Sequence, residues 1–505
     1  MTRTIRVKTV AASTCVACLA LGTAIAFAAP GDFDSSFDGD GITRSDFDGS
    51  EVADLAIQSD GKIVAVGTGE TEGSTDDDET AAIGRYTTAG APDPGFLGGA
   101  GVSGSGQYNS QPTRLTGVAV RPSGPIVTAG FKEPGGDEDN PVAVVAQHAG
   151  TGPFAGALTD ASFAPPDGIL DVTFAPGEVG VFEDVALVPA SGDAIAAGGT
   201  LPPGGDVTFG IASVTSAGAL ESGFGDMGSG LRTASPATIV SGSTGGDQAF
   251  AVAVNSSDSS IVAAGSSDPI TADTSDLSDV GVAFLNASGS VTNAEVIDIG
   301  GRDQALDVDI QSDGKVLLTG LTQELPGPGD FDHFVARLEG DGDLDPTFGG
   351  GDGIVQSPLL EGDDGASLTL LPDGRIVVVG ESFIAGDWVV ARYTAAGAPD
   401  TSFDGDGIRL YDFAPSTGNL EAVAAQTDGK LVVGGRIAGD WAVGRLLMAD
   451  DPPPVATPPV ATPPVATPAG VTPSITPAAP QRKKCKKGRK LKKGKCVKKK
   501  KKRRK

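Results

Sequence analysis

The side chains able to do chemistry in this sequence are carboxylates in quantity and little else. The run DGDLDPTFGGGD places Asp341, Asp343, Asp345 and Asp352 at the first, third, fifth and twelfth positions of a loop with EF-hand spacing, where hard oxygen ligands would hold calcium. Pro346 occupies the place of the glycine such a loop requires, and no helical pattern flanks it. The run therefore reads either as a calcium loop or as an acidic turn, and calcium is the only cofactor the residues suggest. Of the two histidines, His333 stands where related segments carry Asp or Trp, as a variable packing position would. No Gly-x-Ser-x-Gly elbow accompanies His148 or His333, so serine nucleophile chemistry has no support. With 65 Asp and Glu residues, paired carboxylates of the kind that hydrolyse glycosides are unavoidable. For the same reason, spacing selects no catalytic pair among them.

What must position these side chains is a repeat. An apolar run ending in glycine recurs seven times, for example QSDGKIVAVG at Gln58 to Gly67 and QSDGKVLLTG at Gln311 to Gly320. The closing glycines Gly67, Gly130, Gly198, Gly265, Gly320, Gly380 and Gly435 are separated by 63, 68, 67, 55, 60 and 55 residues. A second segment follows each run and is clearest as DWVVARYTAAGAPDTSFDGDGI, residues 387–408. The last copy stops at DWAVGRLL, while GDFDSSFDGDGI near the N-terminus, residues 31–42, matches residues 397–408. The chain thus opens with the second half of a unit and ends with the first half of one. In a closed ring this offset lets an N-terminal strand complete the C-terminal unit, so no sheet edge stays free to aggregate. Each unit offers about four short β segments joined by Asp-Gly or Ala-Gly turns. Runs such as Ile376 to Val379 do not alternate in polarity, which suits strands buried on both faces. The expected fold is all-β, a seven-bladed β-propeller whose N-terminal strand completes the last blade.

The regular residues have structural roles in such a ring. Asp60, Asp313, Asp373 and Asp428 each precede a glycine, and Asp-Gly supplies the backbone angles of a tight hairpin. Arg85, Arg337, Arg392 and Arg445 recur on the following strand, where a guanidinium could pair with the recurring aspartates and fix one blade against another. Phe37, Phe96, Phe163, Phe224, Phe348 and Phe403 read as packing anchors between blades.

Charge divides the chain. Of 37 Lys and Arg residues, 18 lie between Arg482 and Lys505. All the acids lie in the body, residues 29–451, whose net charge is −49. An acidic body is a poor nucleic-acid binder. Residues 1–28 have a basic start, an apolar stretch and the small-residue pattern Ala26-Phe27-Ala28, the layout of a secretory signal peptide cleaved after Ala28. Cys15 and Cys18 would leave with it. Residues 452–480, rich in Pro, Ala and Thr, form a spacer able to reach about 90 Å if extended. Residues 481–505 form a Lys/Arg-rich tail, expected to be disordered like the spacer. An exposed strip of this charge attracts anionic cell-envelope polymers or lipid headgroups in a salt-dependent way. Cys485 and Cys496 could close one small disulfide loop there or remain free thiols, and are too few for zinc.

The paired signatures SDGKIVAVG and RYTAAGAPDTSFDGDGI resemble the delta-60 repeats of exported bacterial proteins, a family assigned to a β-propeller domain of unknown function. The resemblance spans Gly31 to about Leu447 and transfers no catalytic residues. Copies three and four depart most, lacking the Asp-Gly-Lys turn and the strand arginine. The function these features suggest is a noncatalytic, exported binding or scaffold propeller. Its tail would hold it at the cell envelope, and one of its faces would take a ligand the sequence does not identify. The competing expectation is a secreted carboxylate-dependent hydrolase or lyase acting on glycans at one mouth of the ring. Clustering of polar residues that break the repeat at one mouth would discriminate between them, because catalytic groups break repeat symmetry and scaffold groups obey it.

Overall fold

The computed structural model describes residues 28–448 except 47–50, 71–78, 98–100, 107–112, 135–139, 150–158, 226–228, 237–245, 269–277, 325–330, 357–365 and 383–386, together with 489–492 and 495–498. Seven four-stranded antiparallel sheets make up the body. Each runs outward from the axis in chain order, the blades spanning 51–106, 113–172, 179–234, 247–297, 301–356, 367–411 and 418–446. The last span supplies only three strands. Its fourth is Ile42–Ser45, which pairs antiparallel with Asp440–Leu446, Ile42 opposite Gly444 and Ser45 opposite Trp441. The chain is therefore an all-β, seven-bladed propeller closed by its N-terminal strand. Blades 3 and 4, built from the divergent copies, are as complete as the others.

The core of a ring is divided among its seams. Seven apolar clusters each join two adjacent blades, and one of them links Val52, Leu55 and Ile63 of the first blade to Val432, Trp441 and Val443 of the last. Strands caught between neighbours are buried on both faces, as Ile376, Val377, Val378 and Val379 are. Small side chains suit such narrow seams. The low aromatic content of 5% is thus no obstacle to a close-packed interior.

The glycine that ends each apolar run has a steric cause. In six blades the innermost strand bulges at the same point, and the residue before the bulge pairs with that glycine: Val52 with Gly67, Leu115 with Gly130, Phe182 with Gly198, Ala249 with Gly265, Ala305 with Gly320 and Leu420 with Gly435. The bulge presses a carbonyl onto it. A Cβ on Gly320 would lie 1.9 Å from Gln304 O, and one on Gly67 would lie 2.0 Å from Glu51 O. Neither backbone can yield enough, so no larger residue fits.

Blades are tied together by the recurring arginines, whose partners are aspartates of the second segment. Arg85 Nε lies 2.7 Å from Asp93, Arg337 Nε 2.7 Å from Asp345, Arg392 Nε 2.8 Å from Asp400, and Arg445 Nε 2.8 Å from Asp34. A cation from the Asp-Gly turn shares each carboxylate: Lys62, Lys315, Arg375 and Lys430. The guanidinium lies 4.5 to 4.9 Å from the ring centre of Phe96, Phe348, Phe403 or Phe37, an attraction strengthened by burial. Its Nη1 then reaches the neighbouring blade. Arg337 donates to Ala395 O at 2.6 Å, Arg392 to Met448 O at 2.8 Å, and Arg445 to Thr88 O at 2.6 Å. Phe348 also covers Gly397 of the next blade, where a Cβ would come within 2.8 Å of the ring. The turn aspartates stay local. Asp60, Asp313, Asp373 and Asp428 each accept the N–H two residues ahead, at 3.1 to 3.3 Å.

Residues 1–27, including Cys15 and Cys18, lie outside the described residues, as do residues 452–480 and Cys485. The C-terminal unit, 454–505, contains a hairpin in which Arg489–Lys492 pairs with Lys495–Lys498, placing Cys496 opposite Leu491. No helix among the described residues is long and apolar enough to cross a membrane.

Candidate functional site

Where the innermost strand bulges, the chain turns the following residues toward the axis. They line a cavity of about 200 Å³ bounded by Ala53, Asp54, Thr116, Glu183, Asp184, Leu306, Asp307, Ala366, Ser367 and Glu421. Five of these residues are acidic and none is basic.

Three of the acids form a regular subset. Asp54, Asp184 and Asp307 follow the bulge in blades 1, 3 and 5, and each straps its blade to the next. Asp54 accepts Leu55 N and Val118 N, both at 2.6 Å. Asp184 accepts Val185 N at 2.6 Å and Val252 N at 2.8 Å. Asp307 accepts Val308 N and Leu368 N, both at 2.7 Å, and Ser367 Oγ at 2.9 Å. Gly117 holds the corresponding position in blade 2, where a Cβ would lie 2.8 Å from Asp184 Cα. Alternation of aspartate with small residues thus follows from contact between blades. Thr116, Glu183 and Glu421 occupy the bulge itself and obey no such rule. Thr116 Oγ1 donates to Phe182 O at 2.8 Å, Glu183 accepts Gln248 Nε2 at 3.1 Å, and Glu421 accepts Asn419 Nδ2 at 2.7 Å.

Crowding acids into a narrow, partly buried channel raises their proton affinity. Burial, followed by repulsion from Asp184, lifts Asp54 well above the ordinary carboxylate value despite the N–H groups it accepts. Burial lifts Asp184 to about 6, Asp307 to about 7 and Glu183 to about 7. A cation entering the channel would be met by carboxylates that ionise more readily once it arrives.

The sequence-selected residues lie elsewhere. Asp345 is buried: Oδ2 binds Arg337 and Lys315 at 2.7 and 2.9 Å, and Oδ1 accepts Thr347 N and Oγ1 at 2.8 and 2.7 Å. Asp341 and Asp343 are exposed, and Asp352 accepts Ile354 N at 3.2 Å. These four do not gather. The described carboxylates that converge as a trio within 4.8 Å are Asp279, Asp298 and Asp303. His148 and His333 are buried, bonded to Thr128 Oγ1 at 3.1 Å and to Tyr393 Oη respectively. The channel acids left a signal in the repeat, since Asp54 and Asp307 stand four residues before Gln58 and Gln311 of the following turn. That signal was hidden by the abundance of acids.

Residues 58–96, 311–348 and 371–403 match the family described as Domain of unknown function (DUF5122) beta-propeller. Each matched segment ends on the phenylalanine that covers an arginine. No curated protein matches the chain. Among solved structures, Sqt1 from Chaetomium thermophilum is similar over 81% of this chain and 99% of its own, at 11% identity and a TM-score of 0.42. The polysaccharide lyase Uly1 is similar over 79% and 90%, at 12% identity and a TM-score of 0.43. Virginiamycin B lyase from Staphylococcus aureus is similar over 81% and 99%, at 10% identity and a TM-score of 0.40. Likeness at this level says nothing of activity.

Two classes of acid act on stability in opposite senses. Channel carboxylates bind protons more tightly folded than unfolded, so their contribution falls as pH rises from about 4 through 7. In Asp34 and Asp400 burial also pushes upward, but hydrogen bonds from Ser36 and Ser402 and the neighbouring cations outweigh it and leave both at about 2. Their contribution is lost as pH falls below about 4 toward 2. Urea midpoints measured from pH 3 to 9 should therefore peak at about pH 4, decline from there through about pH 7, and decline again toward pH 3. A midpoint that is flat or rising from about pH 4.5 to 7 would contradict the assignment of the channel acids.

Proposed function

We propose that this chain is an exported, noncatalytic binding propeller of the delta-60 repeat type, whose axial channel takes a cationic group from a partner. The carrying observation is the symmetry break at the axis, where Glu183 and Glu421 place charge at the bulge position that Ala53, Thr116 and Leu306 hold in other blades. Asp54, Asp184 and Asp307 have both oxygens engaged by backbone N–H groups, which disfavours a nucleophile or general base among them. A cavity of about 200 Å³ is below the ~300 Å³ at which small-molecule pockets begin, so it suits one amine or guanidinium group better than a glycan ring. The DUF5122 matches support the repeat type, since they coincide with three of the arginine-latched copies. The spacer and the cationic tail are read as the tether to anionic envelope polymers or lipid headgroups, with Cys485 and Cys496 closing a loop within the tail.

Trilysine serves as the probe for the channel. Calorimetric titration of the full chain should show binding that tightens as pH rises from 5 to 8. In Glu183→Gln and Glu421→Gln affinity should fall about tenfold or more, as loss of a charge-assisted contact of ~1.5–3 kcal/mol requires. Affinity in both variants equal to that of the unsubstituted chain would sink the channel reading. The tether is tested separately. Deleting residues 481–505, or raising salt, should release the protein from whole cells, and undiminished retention would remove that part of the proposal.

A further inference from the structure

We propose that Asp279, Asp298 and Asp303 form a calcium site at the junction of blades 4 and 5. Asp279 opens the third strand of blade 4 (Asp279–Leu285), Asp298 follows its outermost strand (Val291–Ile297), and Asp303 lies near the start of the innermost strand of blade 5 (Gly301–Ile310). One carboxylate oxygen from each lies within 4.8 Å of the others. None of the three is ion-paired with a lysine or arginine among the described residues.

The second observation concerns what Asp303 does with its oxygens. The residue is 0% exposed. Its Oδ2 accepts Ile299 N at 2.7 Å and Gly300 N at 3.3 Å, while its Oδ1 is buried without a hydrogen-bond partner. The hydroxyl of Ser278 is buried in the same condition. Ser278 adjoins Asp279 and accepts Asp303 N through its carbonyl at 2.6 Å, while Thr322, paired directly with Asp303 across the ladder, holds its hydroxyl beside that carboxylate and lowers its proton affinity. Buried polar oxygens are rarely left this way unless an ion or water completes them. The neighbouring blade supplies the comparison. Asp247 holds the same position before the bulge of blade 4, and its two oxygens are taken by the hydroxyls of Ser235 and Ser267. Blade 5 repeats the aspartate and places Thr322 where Ser267 stands, but no second hydroxyl among the described residues bonds to Asp303 as Ser235 does to Asp247.

The location suits a clamp. Blade 4 has Phe284 at the arginine position and Ala251 at the strap position, so neither tie used at other seams is present between blades 4 and 5. An ion bridging Asp279 of one blade to Asp303 of the next would supply one. The donors are oxygens alone, which excludes the nitrogen and sulfur ligands zinc favours. Carboxylates mixed with hydroxyls on three separate segments match the irregular, higher coordination of calcium better than the strict octahedron of magnesium.

The test is titration of the full, metal-stripped chain with calcium alone, alongside thermal unfolding with and without calcium. One ion per chain should bind and raise Tm. Asp298→Asn, at an exposed position, should weaken affinity at least tenfold with unchanged Tm in chelator, and Asp279→Asn should do the same for affinity. Asp341→Asn and Asp352→Asn should leave affinity unchanged. Absence of binding heat together with an unmoved Tm would overturn the proposal, as would binding that survives Asp298→Asn and Asp279→Asn or that is lost with the Asp341 and Asp352 variants.

Discussion

A buried guanidinium must find its partners inside the protein, and in this ring it finds them on both sides of a seam. The arginine on the third strand takes a carboxylate from its own blade and, in three blades, a carbonyl from the next, under a phenylalanine ring. Such a pair is worth little against an apolar replacement, yet removing one member typically costs about 3–5 kcal/mol because the other charge stays buried. Its value is therefore in specifying which surfaces meet. At the seventh blade the carboxylate comes from the opposite end of the chain. Asp34 meets Arg445, Arg409 pairs with Asp32 at 2.8 Å, and Tyr411 Oη donates to Gly31 O at 2.6 Å. Closure thus uses the repeat's own interaction, with its carboxylate supplied from the other end of the same chain.

Seams without the arginine are tied differently. In blade 2 Gln147 takes the arginine's place, accepting Arg121 Nε at 3.0 Å and donating to Asp160 at 3.2 Å within the blade, and Thr116 Oγ1 crosses the seam to blade 3 by donating to Phe182 O at 2.8 Å. The strap of Asp184 joins blades 3 and 4, where Ser213 stands at the arginine position. This division explains how the divergent third copy keeps a complete blade joined to its neighbour. It also concentrates acids at the axis, where burial raises their affinity for protons.

Much of the ring was legible in the sequence because its rules are local. The seven-fold period, the offset at Gly31 and Gly397, and the apolar runs each reflect a strand or turn that must recur. The bulge glycines recur so regularly because Gly67 and Gly320 face a carbonyl, a cause visible only once two strands pair. Arginine partners were harder to identify, since Asp34 lies 411 residues from Arg445. Asp279, Asp298 and Asp303 come from three segments and acquire meaning only when blades 4 and 5 meet. By contrast, the regular acids of the Asp341 to Asp352 run divide among solvent, a turn and the Arg337 pair, so even spacing along the chain did not become convergence in space.

The most direct measurement of closure through this latch is amide hydrogen exchange on the full chain carrying Asp34→Ala, with the turn variant Asp60→Ala beside it. If the N-terminal latch closes the ring, amides of Ile42–Ser45 and Asp440–Leu446 should exchange on the order of a hundredfold faster in Asp34→Ala while the other blades keep their protection, and Asp60→Ala should change little. Undiminished protection of those two strands in Asp34→Ala would contradict it.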